Sequence, residues 1–192
     1  REPVPALRRP FPLEAPHAAE LARRRHPGEP VLRTTLDCRL QALSEAALRE
    51  GVARLRAAGV TNGAVVVIDN ESAAVRALVG SCDFRSVADR GQVNGATARR
   101  SPGSALKPFT YALAFERGVC TPATVLPDVP AVFGSYEPEN FDHTHRGPVT
   151  AREALAASLN IPAVRLLRQI GPASLHAFLR DLGFSTLPPD PA

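Results

Sequence analysis

Proline decides where this chain can be regular. Seven prolines stand at positions 3, 5, 10, 12, 16, 27 and 30. Neither a continuous helix nor a central strand survives that density, because each proline fixes φ and removes a backbone donor. Residues 1–30 therefore read as a Pro-rich linker with a helical turn or two around Ala18 to Arg25. More prolines punctuate residues 119–149, which read as a long irregular excursion, often the mark of a functional surface. Pro188, Pro189 and Pro191 stop regular structure at the end.

Between these stretches the pattern is legible. Val31 to Leu36 suits a strand. Asp37 caps a helix whose Leu40, Leu43, Ala47, Leu48, Val52 and Leu55 recur at helical spacing, and Gly59 ends it. The β-branched run from Ala64 to Ile68 suits a strand buried on both faces. Asp69 to Ser72 supply turn chemistry, and Ala73 to Val79 complete a hairpin. Residues 81–100 read as a loop, followed by a helix from Ser104 to Arg117 closed by Gly118. Thr150 and Glu153 form a capping box for a short helix to Ala157. Ile161 to Ile170 is the next helix, with Pro162 in its first turn. In the last, Leu175, Phe178, Leu179 and Leu182 share a face before Gly183. Two strands followed mainly by helices argue an α+β fold. A two-stranded hairpin is a poor sheet by itself. That weakness, the leading Arg1 and the absence of Met make the chain read as part of a larger domain.

Composition removes several function classes. The chain has 192 residues, 44% hydrophobic and 22% charged, which suits one globular domain of ordinary size. A net charge of +4 raises the question of an anionic partner. The basic residues are scattered, however, with Arg23, Arg24 and Arg25 the densest cluster. They lack interleaved aromatics and any base-reading motif, so no nucleic-acid partner is expected. Cys38, Cys82 and Cys120 are far apart and odd in number, which fits neither a disulfide framework nor a zinc spacing; they read as small core hydrophobes. Asp142, His143 and His145 offer acceptable metal ligands, but adjacent loop residues rarely reach one ion unaided, so no metal is expected. His17, His26 and His176 have no evident partners.

The basic residues say more by kind than by number. Of 23 Lys plus Arg, Lys107 is the single lysine. Arginine keeps its proton in a protein, whereas a buried lysine can lose it and act as a base. Residues 101–109 read Ser-Pro-Gly-Ser-Ala-Leu-Lys-Pro-Phe. Pro102 and Gly103 turn the chain and Ser104 opens a helix, its oxygen toward the positive end of the helix dipole. Lys107 follows one turn later on the same face. A hydroxyl becomes a nucleophile once a base takes its proton, and a desolvated lysine can be that base. Alone, the pair is equally well a capping serine and a surface lysine. Ser158-Leu159-Asn160 adds a hydroxyl and an amide, two residues apart, between two helices. Ser-x-x-Lys followed by Ser-x-Asn is the motif order of penicillin-binding proteins and class A β-lactamases.

The resemblance reaches well beyond these motifs. Thr34-Thr-Leu-Asp37-x-x-Leu40-Gln41, Ala64-Val-Val-Val-Ile-Asp69 and Gly103-Ser104-x-Leu-Lys107-Pro108-Phe109 resemble class A penicillin-binding proteins, the bifunctional peptidoglycan synthases. So do Tyr136-x-Pro-x-Asn140-Phe-Asp142, Gly147-x-Val-Thr150-x-Arg152-x-Ala-Leu155 and Ser158-Leu-Asn160-Ile-Pro-Ala-Val164. The wording is nearest to the penicillin-binding protein 1C subgroup. The resemblance implies the N-terminal part of a transpeptidase fold, an antiparallel sheet with flanking helices. Residues 1–30 would be the linker after a glycosyltransferase domain, and residues 31–192 an incomplete transpeptidase domain without its C-terminal strands. The family's third motif, Lys-Thr/Ser-Gly, is not in the chain, whose one lysine is already assigned.

By the same resemblance Ser104 is the acylated nucleophile, Lys107 its base and Ser158 a proton carrier, while Asn160 holds substrate and lysine in place. The implied partners are peptidoglycan stem peptides ending in D-Ala-D-Ala, β-lactam antibiotics and other cell-wall synthesis proteins. The implied place is the periplasmic or extracytoplasmic face of the bacterial inner membrane, in a membrane-anchored parent protein. No cofactor is implied. The isolated chain is expected to be poorly stable and to have weak activity or none. A non-catalytic, penicillin-recognising sensor of the same fold, and a generic basic interaction module, are the alternatives.

Overall fold

The computed structural model describes residues 13–188. The expectations for residues 1–12, Pro189 and Pro191 lie outside that range. The chain divides between Ala98 and Arg99 into two compact units, each with its own helices and its own antiparallel strand pair.

The first unit opens with α1, Pro16–Arg25. This is a ten-residue helix where a turn or two was expected. The flanking prolines permit it, since Pro16 stands at the helix start, where an N–H is not needed, and Pro27 lies beyond the end. In α2, Cys38–Leu55, the Asp37 carboxylate accepts the Leu40 N–H at 2.8 Å, which is the cap read from the sequence. A short 3₁₀ turn then leads to Gly59, whose φ of 84° suits glycine. The hairpin pairs β1, Val65–Ile68, with β2, Val75–Val79.

Two expectations fail here. Val31 to Leu36 forms no strand. The segment meets β2 through the Thr35 hydroxyl on Val75 O (2.7 Å), the Asp37 N–H on Arg76 O (2.8 Å) and the Arg76 guanidinium on Thr35 O (3.4 Å), which is no ladder. The Gln41 side chain takes over at Leu78, accepting its N–H at 2.9 Å and donating to its carbonyl at 3.2 Å. With a helix side chain satisfying that edge, no further strand is required. Nor is β1 buried on both faces, for Val66 and Ile68 are 43% and 55% exposed. The buried strand is β2, through Ala77, Leu78 and Val79. It lies under α1 and α2, whereas β1 pairs with one neighbour.

Residues 81–98 form the expected loop, and it is tightly turned. Gly91 passes so close to the Asp83 carbonyl that a Cβ would have no room. His17 has a partner after all: it is buried, with its ring edge-on to Phe84 at 5.0 Å. Burial lowers its pKa, against the opposing effects of a Gly91 backbone hydrogen bond and of Glu20. Of the cysteines, Cys120 is buried as a core hydrophobe, but Cys38 is exposed.

The second unit contains α3, Lys107–Glu116, then β3, Val125–Asp128, and β4, Gly147–Thr150. Helices α4, Ala151–Ala156, α5, Asn160–Ile170, and α6, Pro172–Asp181, complete it. Its core joins Tyr111 and Leu113 of α3 to Leu126, Val149, Leu166, Ile170, Leu175 and Leu179. The capping box is present, Thr150 accepting the Glu153 N–H while the Glu153 carboxylate accepts that of Thr150 at 2.8 Å. His176 also finds a partner, the Pro188 carbonyl, at 2.6 Å.

The β3–β4 pair corrects the reading of residues 119–149 as irregular. Pro127 sits directly opposite Pro148. Antiparallel pairs alternate between bonded and non-bonded, and the Ala151 N–H on Thr124 O places the two prolines at a non-bonded position. Neither therefore lacks a donor the ladder needs, and the property that argued against a strand costs nothing.

Candidate active site

Ser104, Lys107, Ser158 and Asn160 all lie in the second unit. Ser104 does not open the α-helix. It sits in a 3₁₀ turn, Gly103–Leu106, and α3 begins at Lys107. The cause is Pro108, which has no N–H to give the Ser104 carbonyl as an α-helix requires. That carbonyl accepts the Lys107 N–H instead, tightening the turn. In a 3₁₀ turn residues i and i+3 eclipse, so Ser104 and Lys107 still share an edge. Ser104 is exposed and Lys107 half-buried.

Ser158-Leu159-Asn160 connects α4 to α5. Leu159 is extended, with φ −64° and ψ 138°, and its side chain is buried in the core. Ser158 and Asn160, on either side, turn the other way, as alternation along an extended chain requires. Ser158 has φ +53°, the left-handed region that a non-glycine residue enters at a cost. In that conformation both its carbonyl and its hydroxyl accept from Lys107.

The Lys107 amine therefore has three acceptors: the Ser158 carbonyl, Ser158 Oγ at 3.1 Å and Asn160 Oδ1 at 2.6 Å. An ammonium has three N–H donors, so the site saturates it. None of these bonds goes to Ser104. For Lys107 to take the Ser104 proton, one acceptor must be released and the lone pair turned toward the hydroxyl. Burial pushes the lysine pKa below its ordinary value, which favours the neutral amine such a step needs.

Two residues to which the sequence assigned no role complete the arrangement. Asn140 accepts the Asn160 N–H at 2.8 Å, and the buried Asp128 accepts from Asn140 Nδ2 at 2.9 and 3.0 Å. The Glu139 carbonyl accepts from Asn160 Nδ2 at 2.6 Å, which turns Oδ1 toward the lysine. Asn140 stands in a family-like motif but had no spacing to Lys107 that would signal contact. Asp128 carries no local signal at all. His143 pairs with Glu139 at 2.8 Å, and among the described residues no cluster of three or more His, Cys, Asp or Glu could hold a metal ion.

The structure thus brings the Ser158-x-Asn160 connection onto Lys107, one 3₁₀ turn after Ser104. Residues 63–190 match the penicillin-binding protein transpeptidase domain, and the chain belongs to that family. It is similar to penicillin-binding protein 1C of Escherichia coli strain K12, at 41% identity over 159 residues, or 83% of this chain. It spans 20% of that relative's length. Penicillin-binding protein 1A of Neisseria gonorrhoeae is 40% identical over 129 residues, 64% of this chain and 16% of that protein. Among solved structures, the penicillin-binding protein PonA1 of Mycobacterium tuberculosis superimposes with a TM-score of 0.67 at 25% identity. That match covers 83% of this chain and 40% of PonA1, whose structure has also been solved in complex with penicillin V. The α+β architecture, antiparallel strands with flanking helices, is that of the family.

Proposed function

We propose that this chain carries out acyl transfer as a serine D,D-transpeptidase, with Ser104 as nucleophile and Lys107 as its base. The observation that carries the reading is the gathering of Ser158 and Asn160 around the one lysine of the chain, whose amine burial biases toward the neutral form. A generic basic module would have no reason to direct three acceptors onto a lone lysine.

The substrate class is the peptidoglycan stem peptide ending in D-Ala-D-Ala. Lys107 takes the hydroxyl proton as Ser104 Oγ forms a bond to the penultimate carbonyl carbon. The C–N bond to terminal D-Ala then breaks, and its nitrogen receives a proton through Ser158 from Lys107. An acceptor amine on a second stem attacks the ester carbon and gives up a proton to Lys107, the bond between that carbon and Ser104 Oγ breaks, and Oγ takes the proton from Lys107. Asn160 keeps the lysine aligned and offers its amide to the substrate backbone. One oxyanion donor is the backbone N–H of Ser104, in the first turn of a helix, where such groups lack intrahelical partners. β-Lactams enter as mimics of the same peptide and stop at the acyl-enzyme. The activity belongs at the extracytoplasmic face of the bacterial inner membrane, in a membrane-anchored parent protein that works with other cell-wall synthesis proteins. Among the described residues no helix is long and apolar enough to cross a membrane.

A fluorescent penicillin tests the reading. Covalent labelling that Ser104→Ala abolishes is the expected result, followed by release of the acyl group to an acceptor amine from a D-Ala-D-Ala thioester or peptide. Labelling without any transfer would identify a penicillin-recognising sensor instead. Because the isolated chain is expected to have weak activity or none, the labelling is done on the parent protein, and its absence there in a folded sample would overturn the assignment.

A further inference from the structure

Asp128 ends β3 with no exposed surface. A buried carboxylate persists where hydrogen bonds compensate for lost water. Asn140 Nδ2 reaches both of its oxygens, at 2.9 and 3.0 Å, and the Arg146 N–H reaches Oδ2 at 2.9 Å. Asn140 is itself only 3% exposed, and its Nδ2 also donates to the Thr144 carbonyl at 2.8 Å. An amide nitrogen carries two hydrogens. One is directed at a carboxylate and the other at a carbonyl, so a flipped amide would aim oxygen at oxygen. The orientation of Asn140 is thereby fixed, and its Oδ1 is left to accept the Asn160 N–H at 2.8 Å.

We infer that Asp128 and Asn140 are positioning residues for Lys107. The buried carboxylate fixes the Asn140 amide, and that amide fixes the first residue of α5. Asn160 Oδ1 is thereby held against the lysine amine. The relay deepens the transpeptidase reading and rests on it for its kinetic consequence, though not for the titration below. Its chemical merit is that the lysine is gripped without a salt bridge, which would keep it charged. Four carboxylates on the surrounding segments are engaged elsewhere, and Glu137 makes no hydrogen bond to the amine. Glu139 pairs with His143, Glu153 with the Thr150 cap, Asp142 with Thr144 N and Arg146, and Asp128 with Asn140. Only neutral oxygens meet the amine.

The test exploits the single lysine. Labelling with [13Cε]lysine gives one NMR signal, whose titration reads the Lys107 amine with no activity required. In Asp128→Asn, the amine should lose its well-placed acceptor and titrate about one pH unit lower, the scale of one hydrogen bond to a charged group. Removing a negative charge would act in the same direction through space, so the comparison is repeated in an Asn160→Ala background. A relay through Asn160 predicts no further shift there, whereas a through-space effect persists and would overturn the inference. An unchanged midpoint in folded Asp128→Asn would overturn it as well. If that variant does not fold, Asn140→Ser, which removes Oδ1, carries the same expectations. In the kinetic arm, penicillin acylation should fall roughly 10²-fold with Asp128→Asn, as misplaced groups typically cost. A relay confirmed by NMR in a protein that no β-lactam acylates would leave the positioning intact and reject the transpeptidase reading.

Discussion

Lys107 Nζ and Asn160 Oδ1 meet at 2.6 Å, and each belongs to the first residue of its helix, α3 and α5. Two helix N-termini thus converge on one amine. Burial lowers the pKa of that amine, and the positive ends of two helix dipoles act in the same direction, since both disfavour an ammonium. The neutral oxygens of Ser158 and Asn160 hold it without supplying a counter-charge. The arrangement suits a base better than an ion-pairing lysine.

Ser104 is expected to be the acylated residue. Intact-mass measurement after β-lactam treatment, followed by peptide mapping, should place a single adduct on the peptide that contains it. An adduct on Ser101 or Ser158 would reject the assignment.

Lys107→Arg should abolish acylation and leave the fold in place. The charge is kept, but a guanidinium cannot act as a base near neutral pH. The expected loss is on the order of 10²-fold or more in acylation rate, with the melting curve little changed. An Arg variant that acylates at the normal rate would remove the general-base role.

The pH–rate profile should have its limb below the ordinary lysine range. The pKa of Lys107 is lowered from 10.5 by burial, so the neutral base forms at a lower pH than in an exposed lysine. Acylation should rise with pH through that lowered value and then level off. A limb at or above 10.5 would show that the amine is not desolvated.

Ser158 offers a test of backbone strain that is separate from chemistry. Ser158→Gly and Ser158→Ala both lose the hydroxyl that faces Lys107. At φ +53° glycine is at ease and alanine is not. The Gly variant should therefore be the more stable of the two by about 1 kcal/mol, read by denaturant unfolding. The reverse order would mean that Ser158 does not hold this conformation.

His17 should make the first unit less stable in acid. Its folded pKa lies below 6.5, so as pH falls the unfolded chain takes up the proton first. Stability should be fully present above 6.5 and be lost as pH drops from there through the lower folded value. His17→Gln should flatten that slope. An unchanged slope would mean that another group sets the acid sensitivity.

Much of this protein is legible along the chain, where neighbours in sequence decide the outcome. The Asp37 cap, the Thr150–Glu153 capping box, the β1–β2 hairpin and the helices ending before Gly171 and Gly183 all follow from local hydrogen bonding and apolar spacing. The candidate site residues were also nameable along the chain, though only because Ser158-x-Asn160 and the family-like motifs accompany the Ser104–Lys107 pair, which alone fits a cap and a surface lysine equally well. Tertiary structure decided everything that depends on what lies opposite. Val31 to Leu36 has strand propensity but no ladder, since the Gln41 side chain serves part of the edge of β2. The β3–β4 pair exists because its two prolines face each other at a position that needs no donor, a register no window of residues can reveal. Ser104, whose spacing suits the start of an α-helix, is drawn into a 3₁₀ turn because Pro108 has no N–H for its carbonyl. Asp128 and Asn140 were invisible as parts of the site because a hydrogen-bond relay is a property of three-dimensional adjacency. The sequence by itself determined the family and the residues proposed for the chemistry, because both lie in short local motifs. The packing of α5 against α3, and of β3 beneath the Asn140 loop, decided how their hydrogen bonds connect.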